Sequence, residues 1–544
     1  MNISQEKREK MLMLLSKIKE EKKEDKDVVI ALNEIENEIK NMKYGLMWEE
    51  HEEEVDKELE NNIPIFSEEK DKEILVDEKG KFNFLLEGDN LHSLKLLQRT
   101  HKEKIDIIYI DPPYNTKNKD FIYDDNMIGE DDGYRHSKWL SFMQRRLEIA
   151  KDLLTDDGVI FISIDDNEQA QLKLLCDNIF GENNFVANFK WNKTATPPSL
   201  SNKVRNKYEY ILCYEKIRNN KVYNGGVIEG GDMPLLNTGN NERTIKFKKE
   251  SVKFFFDGKI KKGKHNKVEV IEDIIVANGQ ATNDFELKGE FKWTQKTIDE
   301  EIKNGTTFVI KSKNISPRYI REGIRIKKPA DIISKIECLV DTNEFAKKEL
   351  EELVPNNNMS YPKPSTLIRY LVSLVSNKDS IILDFFAGSG TTGHAVAKLN
   401  AEDGGNRTYI LCTNNENNIC EEVTYKRLLG IQKELPHNLK YFKTDFLEKS
   451  NEELLYDLME HMYEMIVLEN GYSKESNRYA VILTDEDMDE LEEHISEYTN
   501  LEKIYMSNEV LLTSKQNNIL SNYEIKYIPQ YYFDNELKEM GEFW

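Results

Sequence analysis

From Phe82 onward the chain alternates between two apolar patterns. FNFLLEGD is a nearly continuous apolar run ending in a turn, LHSLKLLQRT repeats its leucines at helical spacing, and IDIIYID is a second buried-type run. A helix is predicted over residues 140–154, with Trp139, Phe142, Leu147, Ala150 and Leu153 inward, and Asp157-Gly158 turns the chain into the strand VIFISID. The alternation resumes at Pro362 with helix STLIRYLVSLVS, strand SIILDFF, a glycine turn, helix TTGHAVAKL and strand RTYILCT. Strands alternating with helices predict a parallel sheet covered on both faces, an α/β fold.

The flanking segments read differently. Residues 3–60 are helical, with Met11, Leu12, Leu14, Leu15 and Ile18, and then Val29, Ala31, Leu32, Ile35 and Ile39, near a 3.6-residue period. Residues 218–345 lose the rhythm to glycine-rich pieces and short β-prone stretches, which suggests a separate irregular module. After residue 447 come helix EELLYDLMEHMYEMI, strand YAVILT, helix DEDMDELEEHI and a strand near KIYMSNEV. The predicted domains are an N-terminal helical arm (1–73), a first α/β half (74–217), the irregular module (218–345), a second α/β half (346–447) and a small C-terminal α/β module (448–544).

The 544 residues carry 76 Lys+Arg against 100 Asp+Glu, a net charge of -24 that by itself disfavours nucleic acid. Its distribution along the chain points the other way. Residues 186–330 hold 29 basic and 17 acidic side chains, whereas residues 1–70 sum to -8 and residues 446–544 to -16. The basic stretch interleaves with Trp191, Tyr208, Tyr210, Phe254, Phe255, Phe256, Trp293 and Tyr319, a mixture that suits phosphates and exposed bases as well as an ordinary solvated surface. No apolar run approaches the roughly 18 residues of a membrane span. The charged start is unlike a signal peptide, and the five scattered cysteines contain no C-x-x-C pair. A cytoplasmic multidomain protein without membrane or disulfide frame is expected.

Two clusters fall at carboxyl ends of strands, where chemistry in such a sheet belongs. Asp111-Pro112-Pro113-Tyr114 follows IDIIYI. The prolines fix the backbone and leave their carbonyls free, so a carboxylate and a carbonyl can accept both hydrogens of an exocyclic amine while its ring stacks on Tyr114. Those contacts would also stabilise the positive charge that develops when such a nitrogen attacks. Asp384-Phe385-Phe386-Ala387-Gly388-Ser389-Gly390-Thr391-Thr392 lies between a buried strand and a helix, the context of a nucleotide-type cofactor loop, and matches neither a Walker A loop nor G-x-G-x-x-G. Either cluster alone is also compatible with an ordinary strand-ending turn. Asp165-Asp166 reads as a helix cap, and His92, His136 and His394 as caps or polar contacts, so no metal site is predicted.

Together the clusters resemble those of the amino-group DNA methyltransferases, whose catalytic motif is (Asp/Asn/Ser)-Pro-Pro-(Tyr/Phe/Trp) and whose S-adenosyl-L-methionine loop is Phe-x-Gly-x-Gly. The catalytic motif precedes the cofactor loop here, as in the permuted β class. The stretches GDNLHSLKLL, KWLSFMQRRLEIAKDLLTDDGVIFISIDDNEQ, KYEYILCYEK and YPKPSTLIRYLV look most like the modification (Mod) subunits of type III restriction–modification systems. The resemblance covers residues 74–217 and 350–447 well. It implies a Rossmann-like S-adenosylmethionine-dependent methyltransferase fold with circularly permuted motif order, residues 218–345 as an inserted target-recognition domain, and the helical arm.

By resemblance, Asp111, Pro112, Pro113 and Tyr114 form the catalytic motif that engages a flipped base. Asp384, Phe386, Ala387, Gly388, Ser389, Gly390 and Thr391 form the cofactor loop, Lys363 and Pro364 pack on the cofactor, and Asp89 lies near its adenine. Thr413 stands where the family has the acid that holds the ribose, so that contact passes to Glu416 or to Asn414. The implied activity is site-specific methylation of adenine N6 in double-stranded DNA. Alternatives are cytosine N4 methylation, where the first motif residue is usually Ser, methylation of RNA or protein, and a DNA-binding specificity or assembly subunit of a defence complex. A homodimer and a helicase–nuclease restriction subunit are the implied partners.

Overall fold

The computed structural model describes residues 3–23, 26–41, 48, 53–116, 122–123, 126–127, 134–196, 203–229, 231–321, 324–357, 359, 361–498 and 500–539. They form two compact units, one of residues 1–219, 332–369 and 376–544, the other of residues 220–331 and 370–375.

The larger unit is built on ten strands: β1 (Asn62–Glu68), β2 (Phe82–Glu87), β3 (Ile105–Ile110), β4 (Leu154–Ile164), β5 (Phe185–Asn192), β6 (Tyr208–Glu215), β7 (Ile332–Ile333), β8 (Ile381–Asp384), β9 (Thr408–Thr413) and β10 (Asn438–Glu448). Their spatial order is β1-β10-β2-β9-β8-β3-β4-β6-β5-β7. The six neighbours from β10 to β4 run parallel, and β6 and β1 are antiparallel to the strands beside them. The expected α/β, Rossmann-like sheet is therefore present. Its central strands are apolar on both faces, as strands sandwiched between helices must be.

The alternation missed β1 and β10, which pair over seven residues. β10 is rich in charge and Lys440 lies inside it because it is neutralised at Glu68, whereas β1 is a short apolar run directly after the helix Glu54–Asn61. The helix expected over 140–154 runs Arg135–Leu153, with Trp139, Leu147, Ala150 and Leu153 fully buried and Phe142 only partly covered. Asp157-Gly158 does not precede β4. It lies inside the strand as a bulge, between the pairs Ile105↔Leu154 and Ile107↔Val159. The predicted EELLYDLMEHMYEMI helix is two helices, Leu454–Glu460 and Met462–Asn470, broken at His461.

At the N-terminus, helices Ile3–Glu21 and Lys26–Asn41 are held to each other by Lys19, which donates to Asn33 at 2.6 Å and pairs with Glu36. Beyond β10, a three-stranded parallel sheet (Tyr479–Ile482, Lys503–Ser507, Glu524–Ile528) encloses its own apolar cluster. No helix among the described residues is long and apolar enough to cross a membrane.

The smaller unit contains a seven-stranded and a four-stranded sheet around a core that includes Phe247, Phe254, Phe285, Phe308 and Trp293. Residues 220–331 carry 22 Lys+Arg and 16 Asp+Glu, a net +6. The aromatics expected to meet bases divide by strand alternation, whose period of two sends neighbours to opposite faces. Phe254 and Tyr319 are buried here and Trp191 is buried in the larger unit, whereas Phe255 is 58% exposed and Tyr208, in the larger unit, is 43% exposed. Most of that interleaving is core packing.

Candidate active site

β8 and β3 are neighbours, with Leu383 opposite Ile108, yet the chain leaves them in opposite directions. From β8 it passes through helix Thr391–Asp403 to β9 on one side; from β3 it passes through helix Arg135–Leu153 to β4 on the other. This divergence opens a crevice at the carboxyl edge, the place where open α/β sheets bind ligands. Both predicted motifs are at that edge.

Asp111 leaves β3 partly buried and is held from two sides. The Tyr114 hydroxyl donates to Oδ1 at 2.8 Å, and the Lys363 ammonium donates to both Oδ1 and Oδ2 at 2.8 Å. Lys363 also lies 3.6 Å from Glu209 Oε2, and Glu209 accepts from Lys193 at 2.9 Å and from the Tyr114 hydroxyl at 3.3 Å. The ammonium sits 4.9 Å above the Tyr114 ring. Burial pushes the Lys363 pKa down, but Asp111 and Glu209 outweigh it and raise it above the ordinary lysine value. Burial likewise pushes the Glu209 carboxyl up, and Lys363 and Lys193 bring it below the usual range. Lys363 and Glu209 are therefore both ionised at neutral pH. Pro112 is buried, and Trp139 Nε1 donates to the Pro113 carbonyl at 2.7 Å, which ties the motif to helix Arg135–Leu153. Beyond the motif, Asn115 takes a left-handed backbone (φ 53) and donates to the fully covered carboxylate of Glu168, which also meets His136 at 2.6 Å. Burial pushes Glu168 up to about 8.

The glycine loop turns on two left-handed residues, Gly388 (φ 48) and Gly390 (φ 70). A Cβ on Gly390 would stand 3.1 Å from Thr424 Cγ2, so this turn needs glycine for its backbone and for its space. Asp384 is buried beneath the loop, accepts from the Phe386 amide at 3.0 Å and from the Thr392 hydroxyl, and is pushed by burial up to about 7. It shapes the loop from below. Arg427, fully buried, donates to Thr391 Oγ1 at 2.8 Å and to Ser389 Oγ and carbonyl at 3.3 and 3.4 Å, and pairs with Glu349 at 2.9 Å. Thr391 Oγ1 donates to the Lys363 carbonyl at 3.2 Å, joining the loop to the Lys363-Pro364 segment. Phe386 stands partly open beside Phe142, and Ala387 and Pro364 are buried.

Asp89 caps helix Asn90–Thr100 through the Leu91 amide at 2.7 Å, and Asn90 Nδ2 donates to the Phe385 carbonyl at 2.9 Å, bringing the Gly88-Asp89 turn to the glycine loop. At the end of β9, Thr413 faces Glu87 of β2 in register. Glu87 is a buried carboxylate there that accepts from the Tyr441 hydroxyl, whereas Glu416 is exposed on the turn Glu416–Asn418. Asp165 accepts from the Asn167 amide at 2.8 Å, as a local turn.

The structure thus brings Asp111, Tyr114 and Lys363 together in one cluster and Asp384 to Thr391 in the adjoining loop. Sequence reasoning missed Glu209, Lys193, Trp139, Glu349 and Arg427. Glu209 left one signal, a carboxylate directly ahead of the apolar run Tyr210–Tyr214.

A DNA methylase family model, that of the N6/N4 methyltransferases, matches residues 105–426. The Mod subunit of the type III restriction–modification enzyme StyLTI from Salmonella typhimurium is 33% identical over 407 residues, 69% of this chain and 59% of that protein. The Mod subunit of the type III enzyme EcoPI from Escherichia phage P1 is 35% identical over 409 residues, 65% of this chain and 61% of that protein. The type II methyltransferase M.KpnI from Klebsiella pneumoniae is 31% identical over 372 residues, 62% of this chain and 82% of that protein. The chain spans about three fifths of the length of the two Mod subunits. Both motifs of the crevice fall within the matched segment, and the chain belongs to the N6/N4 DNA methylase family.

Proposed function

We propose that this chain is a site-specific DNA methyltransferase that transfers a methyl group from S-adenosyl-L-methionine to adenine N6 in duplex DNA, as the modification subunit of a type III restriction–modification system. The observation that carries the reading is the placement of Asp111-Pro112-Pro113-Tyr114 beside the left-handed glycine loop at one switch point. The relatives' names support the type III assignment.

The residues present fit the cofactor. The glycine loop turns without Cβ atoms above a buried carboxylate, with Gly388 and Phe386 partly open, and the Glu87 and Asp89 carboxylates, at and just beyond the carboxyl end of β2, are acceptors suited to a nucleoside's hydroxyl and amino groups. When bound, S-adenosylmethionine supplies an electrophilic sulfonium methyl. Gly388, Gly390 and Phe386 would line it, and Asp384 and Arg427 would hold the loop that does so. An adenine inside the duplex hides its amino group, so the base is extruded at a cost of about a few kcal/mol. Asp111 and the Pro112 carbonyl accept the two amino hydrogens, Tyr114 stacks on the ring, and the Asp111 charge stabilises the nitrogen as it becomes positive, until one of those hydrogens leaves as a proton and the methylated amine is neutral. Residues 220–331, net +6, would contact phosphates and read bases.

Radiolabelled methyl transfer to unmodified DNA tests the reading. Asp111→Ala should abolish transfer while cofactor affinity stays within about twofold; retained transfer removes Asp111 from its role. Mass spectrometry of the digested product separates N6-methyladenine from N4-methylcytosine. Duplex binding that weakens steeply with salt supports phosphate neutralisation, and a flat response contradicts it. The homodimer and the helicase–nuclease subunit belong to the same proposal, tested by light scattering and co-purification.

A further inference from the structure

The cluster at Asp111 contains a conflict. Methyl transfer as proposed needs a negative Asp111 facing a nitrogen that turns positive, with room to accept an amino hydrogen. Here Oδ1 already takes two donors, Tyr114 and Lys363, and Oδ2 takes one from the same ammonium. Lys363 is 8% exposed, so water barely screens its charge, and left in place it would oppose the developing aminium.

Glu209 offers the way out. Its carboxylate is 9% exposed and lies 3.6 Å from the same ammonium, a little beyond the roughly 2.7–2.9 Å of a charge-assisted hydrogen bond. A swing of about 1 Å would complete that bond. Lys193 holds Glu209 in place to receive it. We propose that Glu209 is a positioning residue for methyl transfer, which draws Lys363 toward itself as the target amine arrives and so frees an acceptor on Asp111 and weakens the compensation of its charge. The proposal rests on the methyltransferase reading of this site. Glu209 touches neither base nor methyl; it acts through Lys363.

The other titratable groups facing the pair are Tyr109 and Tyr114 from the β3 end, Asp384 below the glycine loop, Asp165 after β4 and Lys193 after β5. Burial holds the two tyrosines well above 10, and Asp384 lies near 7. Above about pH 8, discharge of a lysine is therefore the ionisation that can alter this cluster.

The test is single-turnover methyl transfer to unmodified genomic DNA by the full chain, as a function of pH. Wild type should be flat above about pH 8. Glu209→Gln should be slower by about 10³-fold near neutrality, because Lys363 then has only Asp111 to bind and about one such lysine in 10³ is discharged there. Its rate should climb about tenfold per pH unit, since the discharged fraction of the capping lysine grows tenfold with each unit below its pKa. Glu209→Asp, which keeps the charge, should regain most of the rate and the flat profile. In a Lys363→Met background, Glu209→Gln should slow transfer no further. A Glu209→Gln enzyme as fast as wild type overturns the proposal. So does one that is slow but pH-independent, with Glu209→Asp equally slow, for that is the pattern of a purely structural carboxylate. Absence of methyl transfer by the wild type is a separate outcome, which refutes the methyltransferase reading itself.

Discussion

Arg427 gives the sharpest test of how the glycine loop is held. Its guanidinium has no exposure and binds Glu349, Thr391 and Ser389 at once. Burial pushes the Glu349 carboxyl up, but Arg427, His394 and Lys398 outweigh it and hold it below the ordinary range. Arg427→Met keeps most of the stem and removes the charge. Breaking a buried pair by deleting one partner costs about 3–5 kcal/mol, because the other charge remains buried. Glu349 keeps Lys398 at 2.7 Å and Ser365, so the lower end, about 3 kcal/mol, is expected here. At about 2.1 cal/mol/K per residue, the 426 residues of the larger unit have an unfolding entropy of about 0.9 kcal/mol/K, which converts 3 kcal/mol into a midpoint shift of about 3 °C. Loosening of Ser389 and Thr391 should also weaken S-adenosylmethionine binding about tenfold, read by isothermal titration. Adding Glu349→Gln should return at least about 1 kcal/mol of the summed loss, since the charge it leaves, on Lys398, is 32% exposed and solvated rather than buried. A melting point for Arg427→Met within about 1 °C of wild type would refute the reasoning, as would strict additivity in the double variant.

Trp139→Phe deletes the 2.7 Å bond to the Pro113 carbonyl while keeping an apolar ring; methyl transfer should fall about tenfold or more with cofactor affinity unchanged, and equal loss of both would assign Trp139 to folding alone. Gly393→Ala places a Cβ 2.7 Å from Leu428 Cδ2 and 3.1 Å from the Tyr409 ring, so this helix should lose about 1–3 kcal/mol despite gaining a better helix former; a neutral or raised melting point would contradict the clash. Glu469 governs acid stability of the C-terminal module. Burial pushes its carboxyl up, yet Lys104, the Tyr532 hydroxyl and Lys503 bring it down to about 2, from 4.5. A depressed folded pKa means the stabilisation is complete above about pH 4.5 and is lost as the pH falls through about 2. Glu469→Gln should therefore lower the melting point near neutrality and lose less of it than wild type over that acid range; parallel curves would show that Glu469 does not drive the acid transition.

The parallel core of the fold was legible because buried strands and amphipathic helices carry local periodicities. Ile105–Ile110 and Ile381–Asp384 read as strands from a handful of neighbouring residues, and the ends of those runs marked the chemistry. β10 did not, since its charges are cancelled only when distant segments meet, and the short run of β1 is masked by the helical pattern that leads straight into it. Lys440 in β10 is 372 residues from Glu68, and nothing near either residue announces the pair. The site follows the same division. Asp111, Tyr114 and the glycine loop are contiguous motifs, so residue type and spacing suffice to suggest what they bind. The Asp111–Lys363 contact spans 252 residues and the Arg427–Glu349 contact spans 78. The resemblance placed Lys363 against the cofactor, and the structure sets its ammonium on the Asp111 carboxylate. A motif specifies which groups are present at the carboxyl edge of the sheet. How much of its charge each group keeps depends on partners brought in from beyond β5, from β6 and from the segment before helix Ser365–Val375, and the electrostatics of Asp111 are decided there.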